Sequence, residues 1–509
     1  MPSTIDQLVR FRAQHNADTP MVIDPATRLS YRELDVTTSD LAAVFVEAGV
    51  GKGTRVGLIM PNGTRWVQIA VALTRIGAVL VPLSTLLQPR ELVAQLRVAA
   101  VQFLVSVEEF RGHRYLDDLR TVGRSELPAL QQVWSTDRLD SAPASDRARR
   151  IIDAMTETVT PADPLVIMFT SGSSGSPKGV LHSHGNALGA VQSGLAARCI
   201  TAETRLYLPM PFFWVGGFGS GILSVLLAGA TLVTEETPRP ETTLRLLERE
   251  RVTLFRGWPD QAEALARHAN SVGVDLSALR PGSLEALLPP ERRAQPGARA
   301  TLFGMTEAFG SYCGYPADTD MPATAWGSCG KPFPGMEVRI VDPESGEPAT
   351  AGTAGMIQIR GPHTLRGICG RRREELFTPD GFYSTGDLGH LDEQGFLFYH
   401  GRSDDMFKVS GATVYPSEVE RALRTIDGVG NALVTNVPGA AGERVGAAVV
   451  CDDALTPEHL QASARKLLSA FKVPTVWLLL NSDDDVPRGG TGKVDVRRLR
   501  EMLIDANRS

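Results

Sequence analysis

Residues 169–179, Phe-Thr-Ser-Gly-Ser-Ser-Gly-Ser-Pro-Lys-Gly, hold the types best suited to binding phosphate. They follow the apolar run 165–169, which predicts a buried strand. Glycines let a backbone approach a ligand closely, and successive N–H groups with hydroxyls form a nest for phosphate oxygens. Lys178 adds positive charge, so the stretch predicts a loop that cradles a nucleoside triphosphate. It is not a Walker loop, because Gly179 rather than Ser or Thr follows the lysine. A flexible Gly/Ser surface loop is the alternative.

A second cluster is Phe303-Gly304-Met305-Thr306-Glu307. An aromatic ring can stack on a base, and an exposed carboxylate can hold Mg²⁺. The same run also occurs in plain loops, so by itself it leaves both interpretations open.

A third cluster is Tyr383-Ser384-Thr385-Gly386-Asp387. A buried aspartate on a turn accepts hydrogen bonds from the two hydroxyls of a ribose. An aspartate that merely caps a turn is the alternative for Asp387.

Two later clusters carry lysines. Residues 401–411 contain Arg402, Asp404, Asp405 and Lys408, and residues 487–493 form a glycine-rich loop that ends in Lys493. A solvated surface lysine is the default interpretation of the second.

The composition narrows the class of protein. A chain of 509 residues should form more than one domain. The net charge of −6 gives nucleic-acid binding no electrostatic support. The five cysteines are scattered and odd in number, which favours a reducing, cytoplasmic location and argues against a zinc site. The uncharged run 214–233 predicts a buried segment rather than a membrane span, because it contains five glycines.

Secondary structure must position these clusters. Helices are predicted over residues 4–15, from Ser30 towards residue 49, and over 64–75, and they alternate with strands such as 55–60 and 103–107. This alternation indicates an α/β fold with parallel sheets. Short strands between Gly/Pro/Asp turns over about 326–400 predict a small β-barrel or sheet module. Mixed helices and strands then predict an α+β domain over residues 402–509, after an N-terminal domain of residues 1–401.

The clusters occur in an order that resembles the adenylate-forming superfamily of acyl- and aryl-CoA synthetases, firefly luciferase and peptide-synthetase adenylation domains. The resemblance extends from the run Leu29-Ser30-Tyr31-Arg32-Glu33-Leu34 to Lys493. It implies a large N-terminal domain of two α/β sheets plus a β-barrel, and a small mobile C-terminal domain. It also implies ATP, Mg²⁺ and CoA as cofactors and substrates.

The resemblance assigns a role to each matching residue. The β- and γ-phosphates would be bound by Thr170, Ser171, Gly172, Ser173, Ser174, Gly175 and Lys178. Phe303, followed by Gly304 and Met305, would stack on adenine, where the family usually has tyrosine. Thr306 and Glu307 would serve phosphate and metal, with Thr170 also near the metal. Asp387 and Arg402 would hold the ribose. Lys493 would bridge the carboxylate and the α-phosphate, Asp404 would be the hinge, and Lys408, Ser410 and Gly411 would line the thiol's path.

The chain departs from the family pattern in two places. Between Trp258 and Gly304 the usual Gly-Gly-Ala turn is replaced by Pro281-Gly282-Ser283, in a segment that looks shortened. The family's Pro-x-Phe-His motif is also altered, because Trp214 follows Phe213. Phe213, Trp214 and Gly216 are therefore candidates for the acyl pocket, and a purely core role for the aromatic rings is the alternative.

The leading hypothesis is a carboxylate–CoA ligase for a hydrophobic fatty, branched, cyclic or aryl acid. No acidic residue lies near residues 212–215, where peptide-synthetase relatives pair the substrate amine, so an amino acid is disfavoured. An acyl-AMP ligase that loads a carrier protein, and a catalytically silent nucleotide or acyl binder, remain as alternatives. The expected partners are a carboxylic acid and CoA, with a homodimer left open.

Overall fold

The computed structural model describes residues 2–120, 122–170, 177–403, 406–409, 412–439, 442–451, 455–468, 470–489 and 493–507. The chain divides into two compact units. Unit 1 comprises Met1–Glu337 and Ile359–Tyr383, and unit 2 comprises Val338–Gln358 and Ser384–Ser509. Both mix helices with strands, which confirms the predicted α/β class. The domain boundary predicted after residue 401 falls within strand Leu397–Arg402 and stays a prediction.

The larger sheet of unit 1 has seven strands. Their order across the sheet is Gly367–Ile368, Lys178–Ser183, Pro164–Thr170, Val79–Pro82, Arg55–Ile59, Phe103–Ser106 and Gln132–Ser135. The last five run parallel, whereas Lys178–Ser183 pairs antiparallel with both neighbours. The predicted parallel core of this sheet is therefore confirmed. The antiparallel pair places the phosphate-loop sequence between two hydrogen-bonded strands.

The second sheet of unit 1 has five strands, in the order Leu254–Phe255, Arg205–Tyr207, Thr231–Val233, Pro20–Ile23 and Arg28–Ser30. The first four are parallel and the last is antiparallel. A third, smaller sheet contains Phe303–Met305, Gly310–Gly314 and Lys331–Pro332.

The helices of unit 1 begin where the sequence supplies caps. Thr4 accepts a hydrogen bond from the N–H of Gln7, and Ser30 forms a reciprocal capping box with Glu33. The α-helices are Ile5–His15, Tyr31–Glu47, Thr64–Arg75, Pro89–Val98, Tyr115–Arg120, Thr136–Ser141, Asp146–Glu157, His184–Ser193, Ser224–Ala228, Pro240–Arg249 and Pro259–Val272. The first three confirm the helices predicted at these positions.

The uncharged run 214–233 consists of short elements. A π-helical segment, Gly216–Leu223, leads into helix Ser224–Ala228 and strand Thr231–Val233. A Cβ at Gly217 would lie 2.1 Å from the carbonyl oxygen of Pro211, so only glycine fits there. Across the described ranges, no helix combines the length and the apolar character needed to cross a membrane.

Arg75 shows how unit 1 buries a charge. Its side chain is 1% exposed, and its Nη2 lies 2.8 Å from an oxygen of Asp6 and 2.9 Å from one of Asp35. These three residues belong to three different helices, Thr64–Arg75, Ile5–His15 and Tyr31–Glu47. Two carboxylates thus compensate one guanidinium, as a buried ion requires.

Unit 2 contains three sheets. The first has four strands, Glu337–Val341, Gly355–Arg360, Tyr383–Leu391 and Leu397–Arg402, of which the end residues 337, 359–360 and 383 are counted with unit 1. The second pairs Phe407–Val409 with Ala412–Val414, and the third contains Val429–Gly439, Gly442–Cys451 and Val476–Leu480. The α-helices are Pro416–Leu423, Pro457–Leu467 and Val496–Ala506.

Candidate active site

The predicted phosphate loop joins two paired strands of unit 1. Thr170, at the end of one strand, lies opposite Lys178, at the start of the next. A Cβ at Gly179 would lie 3.0 Å from Ile167 and 3.1 Å from the sulfur of Cys369, so glycine lets the strand Gly367–Ile368 pack close. The hairpin therefore brings a hydroxyl and an ammonium-bearing residue to one end of the sheet.

Several predicted residues lie outside the described residues: Ser171, Gly172, Ser173, Ser174 and Gly175 of the loop, the hinge residue Asp404, and Ser410 and Gly411.

The Phe303–Glu307 cluster forms a strand and a tight turn. Strand Phe303–Met305 leads into a single 3₁₀ turn, Thr306–Ala308. A Cβ at Gly304 would lie 2.0 Å from the carbonyl oxygen of Gly310, so the backbone crossing permits only glycine. Phe309 then adopts a left-handed conformation with φ of 51°, which reverses the chain.

Glu307 is a buried carboxylate on this turn. Glu307 is 6% exposed, and its Oε1 accepts a hydrogen bond from the Tyr383 hydroxyl at 3.3 Å. Among the described residues, no Lys, Arg or His forms an ion pair with it. A buried carboxylate with a single neutral donor is poorly compensated, so it has lone pairs available for a cation.

His182 is hydrogen-bonded to the backbone of this turn. Asn186 donates to its Nδ1 at 2.7 Å, so the ring proton is assigned to Nε2, which donates to the carbonyl of Thr306 at 2.7 Å. Burial lowers the pKa of His182 to about 4, against the smaller opposing effect of its hydrogen bonds, so the ring stays neutral at pH 7. The N–H of Leu365 also donates to the carbonyl of Glu307 at 2.7 Å. Two residues of the turn are therefore fixed through their backbone carbonyls.

The sequence analysis missed His182 and Asn186, and it named Tyr383 only as the start of the cluster that ends at Asp387, without its contact to Glu307. His182 lies 124 residues from Thr306, Tyr383 lies 76 residues from Glu307, and Asn186 acts on the turn through His182. A polar His-Ser-His-Gly-Asn run at residues 182–186, which begins at the end of a strand, was the signal that could have identified the first two.

The predicted acyl-pocket residues are part of an aromatic group. The ring of Trp214 meets that of Phe213 edge-on at 5.9 Å and that of Trp258 edge-on at 5.8 Å. Gly216 begins the π-helical segment, and a Cβ there would lie 2.8 Å from the sulfur of Met210. Trp258 was not predicted, although it stands directly before Pro259, where a helix begins.

The shortened segment at Pro281-Gly282-Ser283 lies against the five-stranded sheet. The Ser283 hydroxyl accepts a hydrogen bond from the N–H of Phe255 at 3.1 Å, and the N–H of Leu284 donates to the carbonyl of Phe255 at 3.2 Å. Short 3₁₀ turns, Glu285–Leu287 and Pro290–Arg292, follow. The segment that departs from the family pattern therefore packs on the edge strand of this sheet.

In unit 2, Asp387 lies beside Arg402. Asp387 is 7% exposed, and its Oδ1 lies 3.4 Å from Nη1 of Arg402. A Cβ at Gly386 would come within 2.8 Å of the same guanidinium, so glycine makes room for it. The prediction that Asp387 lies on a turn is wrong, because residues 383–391 form one strand that pairs with Leu397–Arg402. The turn-like sequence Thr385-Gly386-Asp387 therefore lies within a strand, in which Gly386 has a positive φ.

The two predicted lysines of unit 2 lie on separate hairpins. Lys408 is the middle residue of strand Phe407–Val409. Lys493 is exposed, and its carbonyl accepts a hydrogen bond from the N–H of Gly489 at 2.8 Å. Arg488 and Val494 also form an antiparallel bridge, so the turn that presents Lys493 is closed at its base.

Comparison with known proteins adds independent findings. A family model described as AMP-binding enzyme matches residues 9–369. A protein of Mycobacterium tuberculosis named 3-[(3aS,4S,7aS)-7a-methyl-1,5-dioxo-octahydro-1H-inden-4-yl]propanoyl:CoA ligase is 32% identical, over 99% of this chain and 98% of its own length. A 3-hydroxybenzoate–CoA ligase of Aromatoleum sp. is 29% identical, over 96% and 95%. The crystal structure of ATP-bound MatB from Rhodopseudomonas palustris is 25% identical, with a TM-score of 0.80 and coverage of 99% of each chain.

The His182 contact predicts a positioning role. His182→Leu replaces the ring by an apolar side chain of similar size and so removes the donor to Thr306. Because the turn then loses one of its two backbone anchors, we expect kcat for ATP-dependent pyrophosphate release to fall roughly ten- to hundredfold. Steady-state kinetics and thermal unfolding should be measured together.

His184→Leu is the matched control. His184 is also fully buried, but its Nδ1 accepts from the N–H of Ile5 at 3.3 Å, and within the described part of the chain it makes no hydrogen bond to the turn. We expect it to lose about 1–3 kcal/mol of stability, since it leaves a buried donor unpaired, with kcat unchanged. Equal kcat values for the two variants would contradict the positioning role.

Proposed function

The chain belongs to the family of AMP-binding enzymes, and on that premise we propose that it activates a hydrophobic carboxylic acid as an acyl-adenylate and transfers the acyl group to CoA. The predicted enzyme class, an AMP-forming acid–thiol ligase, is confirmed by its relationship to named CoA ligases. ATP, Mg²⁺ and CoA are confirmed with it.

The single observation that carries the proposal is the Thr306–Glu307 turn. Attack of a carboxylate on the α-phosphate brings two anions together, so the chemistry requires fixed positive charge. The Glu307 carboxylate is buried, held by one neutral hydroxyl and anchored through its own backbone. When bound, Mg²⁺ neutralises phosphate charge and typically uses one or two protein carboxylates together with substrate phosphates. Glu307 fits that pattern, and Thr306 and Thr170 are the neighbouring candidates for contacts to phosphate and metal.

The hairpin of unit 1 supplies the phosphate contacts. Lys178 and Thr170 stand opposite each other at its end, so they bind and orient the β- and γ-phosphates together with the loop between them. Phe303 presents a ring for adenine, and Gly304 and Met305 provide the adjoining backbone. In unit 2, the carboxylate of Asp387 accepts hydrogen bonds from the ribose hydroxyls, and Arg402 keeps that carboxylate in place.

The aromatic group in unit 1 favours a hydrophobic acid. The rings of Phe213, Trp214 and Trp258 offer apolar surface, and Gly216 keeps the adjoining wall free of a side chain. The relatives named above act on a bicyclic keto acid and on hydroxybenzoate. A cyclic or aryl acid therefore fits better than a small polar one.

Residues 402–509 act as a swinging domain in this proposal. Lys493 offsets the charge that builds up as the carboxylate attacks the α-phosphate. Rotation about Asp404 then withdraws Lys493 and presents Lys408, Ser410 and Gly411 to the pantetheine arm of CoA. The thiol attacks the acyl carbonyl, the bond to AMP breaks, and the thioester leaves. A homodimeric state and a cytoplasmic location stay predictions, which light scattering and cell fractionation would test.

A panel of acids tests the proposed function. Pyrophosphate release should be measured with aryl, bicyclic and fatty acids, with and without CoA, and thioester formation should be followed by mass spectrometry. We expect turnover with at least one cyclic or aryl acid and a CoA thioester as product. Turnover that ignores CoA would instead indicate a carrier-protein acceptor, and no turnover with any acid would indicate a silent binder.

The role of Lys493 is tested by separating the two half-reactions. Lys493→Ala should slow acyl-AMP formation by about 10²–10³-fold, the usual effect of removing one charge-stabilising group. Thioester formation from supplied acyl-AMP should stay within about threefold of wild type, since the lysine serves only the first step. Lys466→Ala, which removes an exposed lysine from helix Pro457–Leu467, is the control. Intact adenylation with lost thioester formation would show that the assignment is wrong.

A further inference from the structure

Phe309 is a bulky residue held in a backbone conformation that suits glycine. It follows the Thr306–Ala308 turn with φ of 51°, and its N–H donates to the carbonyl of Thr306 at 3.0 Å. Large side chains rarely adopt this left-handed region, and they persist there only where surrounding contacts fix them. The residue is 1% exposed, so those contacts lie in the interior of unit 1. No step of the proposed reaction uses its ring.

One side of the Phe309 ring meets the imidazole that anchors the turn. The ring centroids of Phe309 and His182 lie 4.9 Å apart, at an interplanar angle of 64°. The same imidazole donates to the carbonyl of Thr306 at 2.7 Å. The turn is therefore joined to Phe309 by the chain itself and, a second time, through His182. A shift of the Phe309 ring would move the imidazole and with it the anchored carbonyl.

The π-helical segment Gly216–Leu223 borders the same ring. A Cβ at Gly219 would lie 3.2 Å from Cε1 and 3.6 Å from Cδ1 of Phe309, so the ring packs directly on glycine backbone. The ring of Phe218 meets it edge-on at 6.2 Å, a separation at which edge-to-face pairs are favourable. Two successive residues of the segment thus contact Phe309, and the glycine leaves no side chain between the segment and the ring.

The π-helical segment starts at the predicted acyl pocket. The N–H of Phe218 donates to the carbonyl of Trp214 at 2.9 Å, and a Cβ at Gly217 would lie 2.1 Å from the carbonyl oxygen of Pro211. The segment is therefore packed, backbone against backbone, on the stretch that carries Phe213 and Trp214. π-Helical turns are rare and frequently lie at functional sites. Because protein interiors are close-packed and transmit displacements, a change at Trp214 reaches Phe309 through this segment.

We propose that Phe309 is a positioning residue, which transmits the position of the π-helical segment beside the acyl pocket to the Thr306–Glu307 turn. An acid bound beside Trp214 holds the segment against Phe309, and so holds the turn in the geometry that the metal requires. Acid binding and binding of the metal with ATP then strengthen each other by the same factor, because coupling between two sites is reciprocal. The identity of the acid site rests on the proposed function, whereas the contact of Phe309 with the segment does not.

A substitution in the segment tests this contact without any acid. Gly219→Ala places a methyl group 3.2 Å from Cε1 of Phe309, so the ring must move by a few tenths of an ångström. We expect the affinity for Mn²⁺ in the presence of ATP, measured by electron paramagnetic resonance, to fall about three- to tenfold. Gly219→Ala/Phe309→Leu lacks the ring edge that the methyl group meets, so its affinity should lie within about twofold of that of Phe309→Leu alone.

Gly221→Ala is the matched control. It adds the same methyl group to the same segment, but the group there meets Cδ2 of Leu208, at 2.8 Å, rather than Phe309. The end of that leucine side chain can change its rotamer, so the affinity for Mn²⁺ should stay within about twofold of wild type. An equal loss in Gly219→Ala and Gly221→Ala would overturn the proposal, because the effect would then come from the segment rather than from its contact with Phe309.

The link to the acid is measured as a coupling factor, the ratio of the Kd values for Mn²⁺ without and with acid. The acid is the one with the highest turnover among the aryl, bicyclic and fatty acids tested, and the nucleotide is α,β-methylene-ATP, whose carbon bridge prevents the loss of pyrophosphate. We expect a factor of about five or more in wild type and of about one in Phe309→Leu. Phe45→Leu, which replaces another buried ring on helix Tyr31–Glu47, should keep the wild-type factor although it loses stability.

The outcomes distinguish this proposal from the proposed function. Equal affinities for Mn²⁺ in wild type and Gly219→Ala, additive losses in the double variant, or equal coupling factors in wild type and Phe309→Leu would each overturn the role of Phe309. If no acid is turned over, but Gly219→Ala weakens Mn²⁺ binding and the losses are not additive, the proposed function fails and the positioning of the turn by Phe309 stands.

Discussion

The hydrogen bond from the His182 ring to the carbonyl of Thr306 fixes the turn on which the catalytic proposal depends. The bond is short, its donor is buried and neutral, and Asn186 sets its direction. A turn of three residues has too few internal hydrogen bonds to hold its own shape. Its geometry therefore depends on strand Lys178–Ser183, which carries His182 near one end and begins at Lys178 of the phosphate hairpin. One strand thus links the residue that contacts phosphate to the carboxylate that would hold the metal.

Charge compensation divides the buried ionic groups of unit 1 into two kinds. Arg75 lies between two carboxylates and serves only to join three helices. Glu307 instead accepts from a single neutral hydroxyl, and no cationic side chain of the described residues pairs with it. A folded chain keeps such uncompensated groups at a cost in stability, and it does so where a ligand of opposite charge completes them. A buried charge without a partner therefore indicates where a ligand binds, whereas a paired charge such as Arg75 does not.

Local signals predicted a large part of this structure. The cap at Ser30, the first helices and the parallel strands follow from residue type and neighbours alone. The strand through Asp387 was predicted as a turn, because Gly386 gives a turn-like sequence that cross-strand hydrogen bonds override. His182, Trp258 and the contact of Tyr383 with Glu307 were missed, since these contacts join residues far apart in sequence or depend on ring packing. The role of the predicted site residues stays a prediction.

The central claim is that the Thr306–Glu307 turn holds a divalent cation through the Glu307 carboxylate when ATP is bound. Mn²⁺ can replace Mg²⁺ and reports its own binding by electron paramagnetic resonance, so the affinity of Mn²⁺ in the presence of ATP can be titrated in wild type and in Glu307→Gln. The account predicts that the variant binds Mn²⁺ at least about tenfold more weakly, since it loses a charged oxygen ligand. Equal affinity and an unchanged spectrum in the two proteins would contradict it.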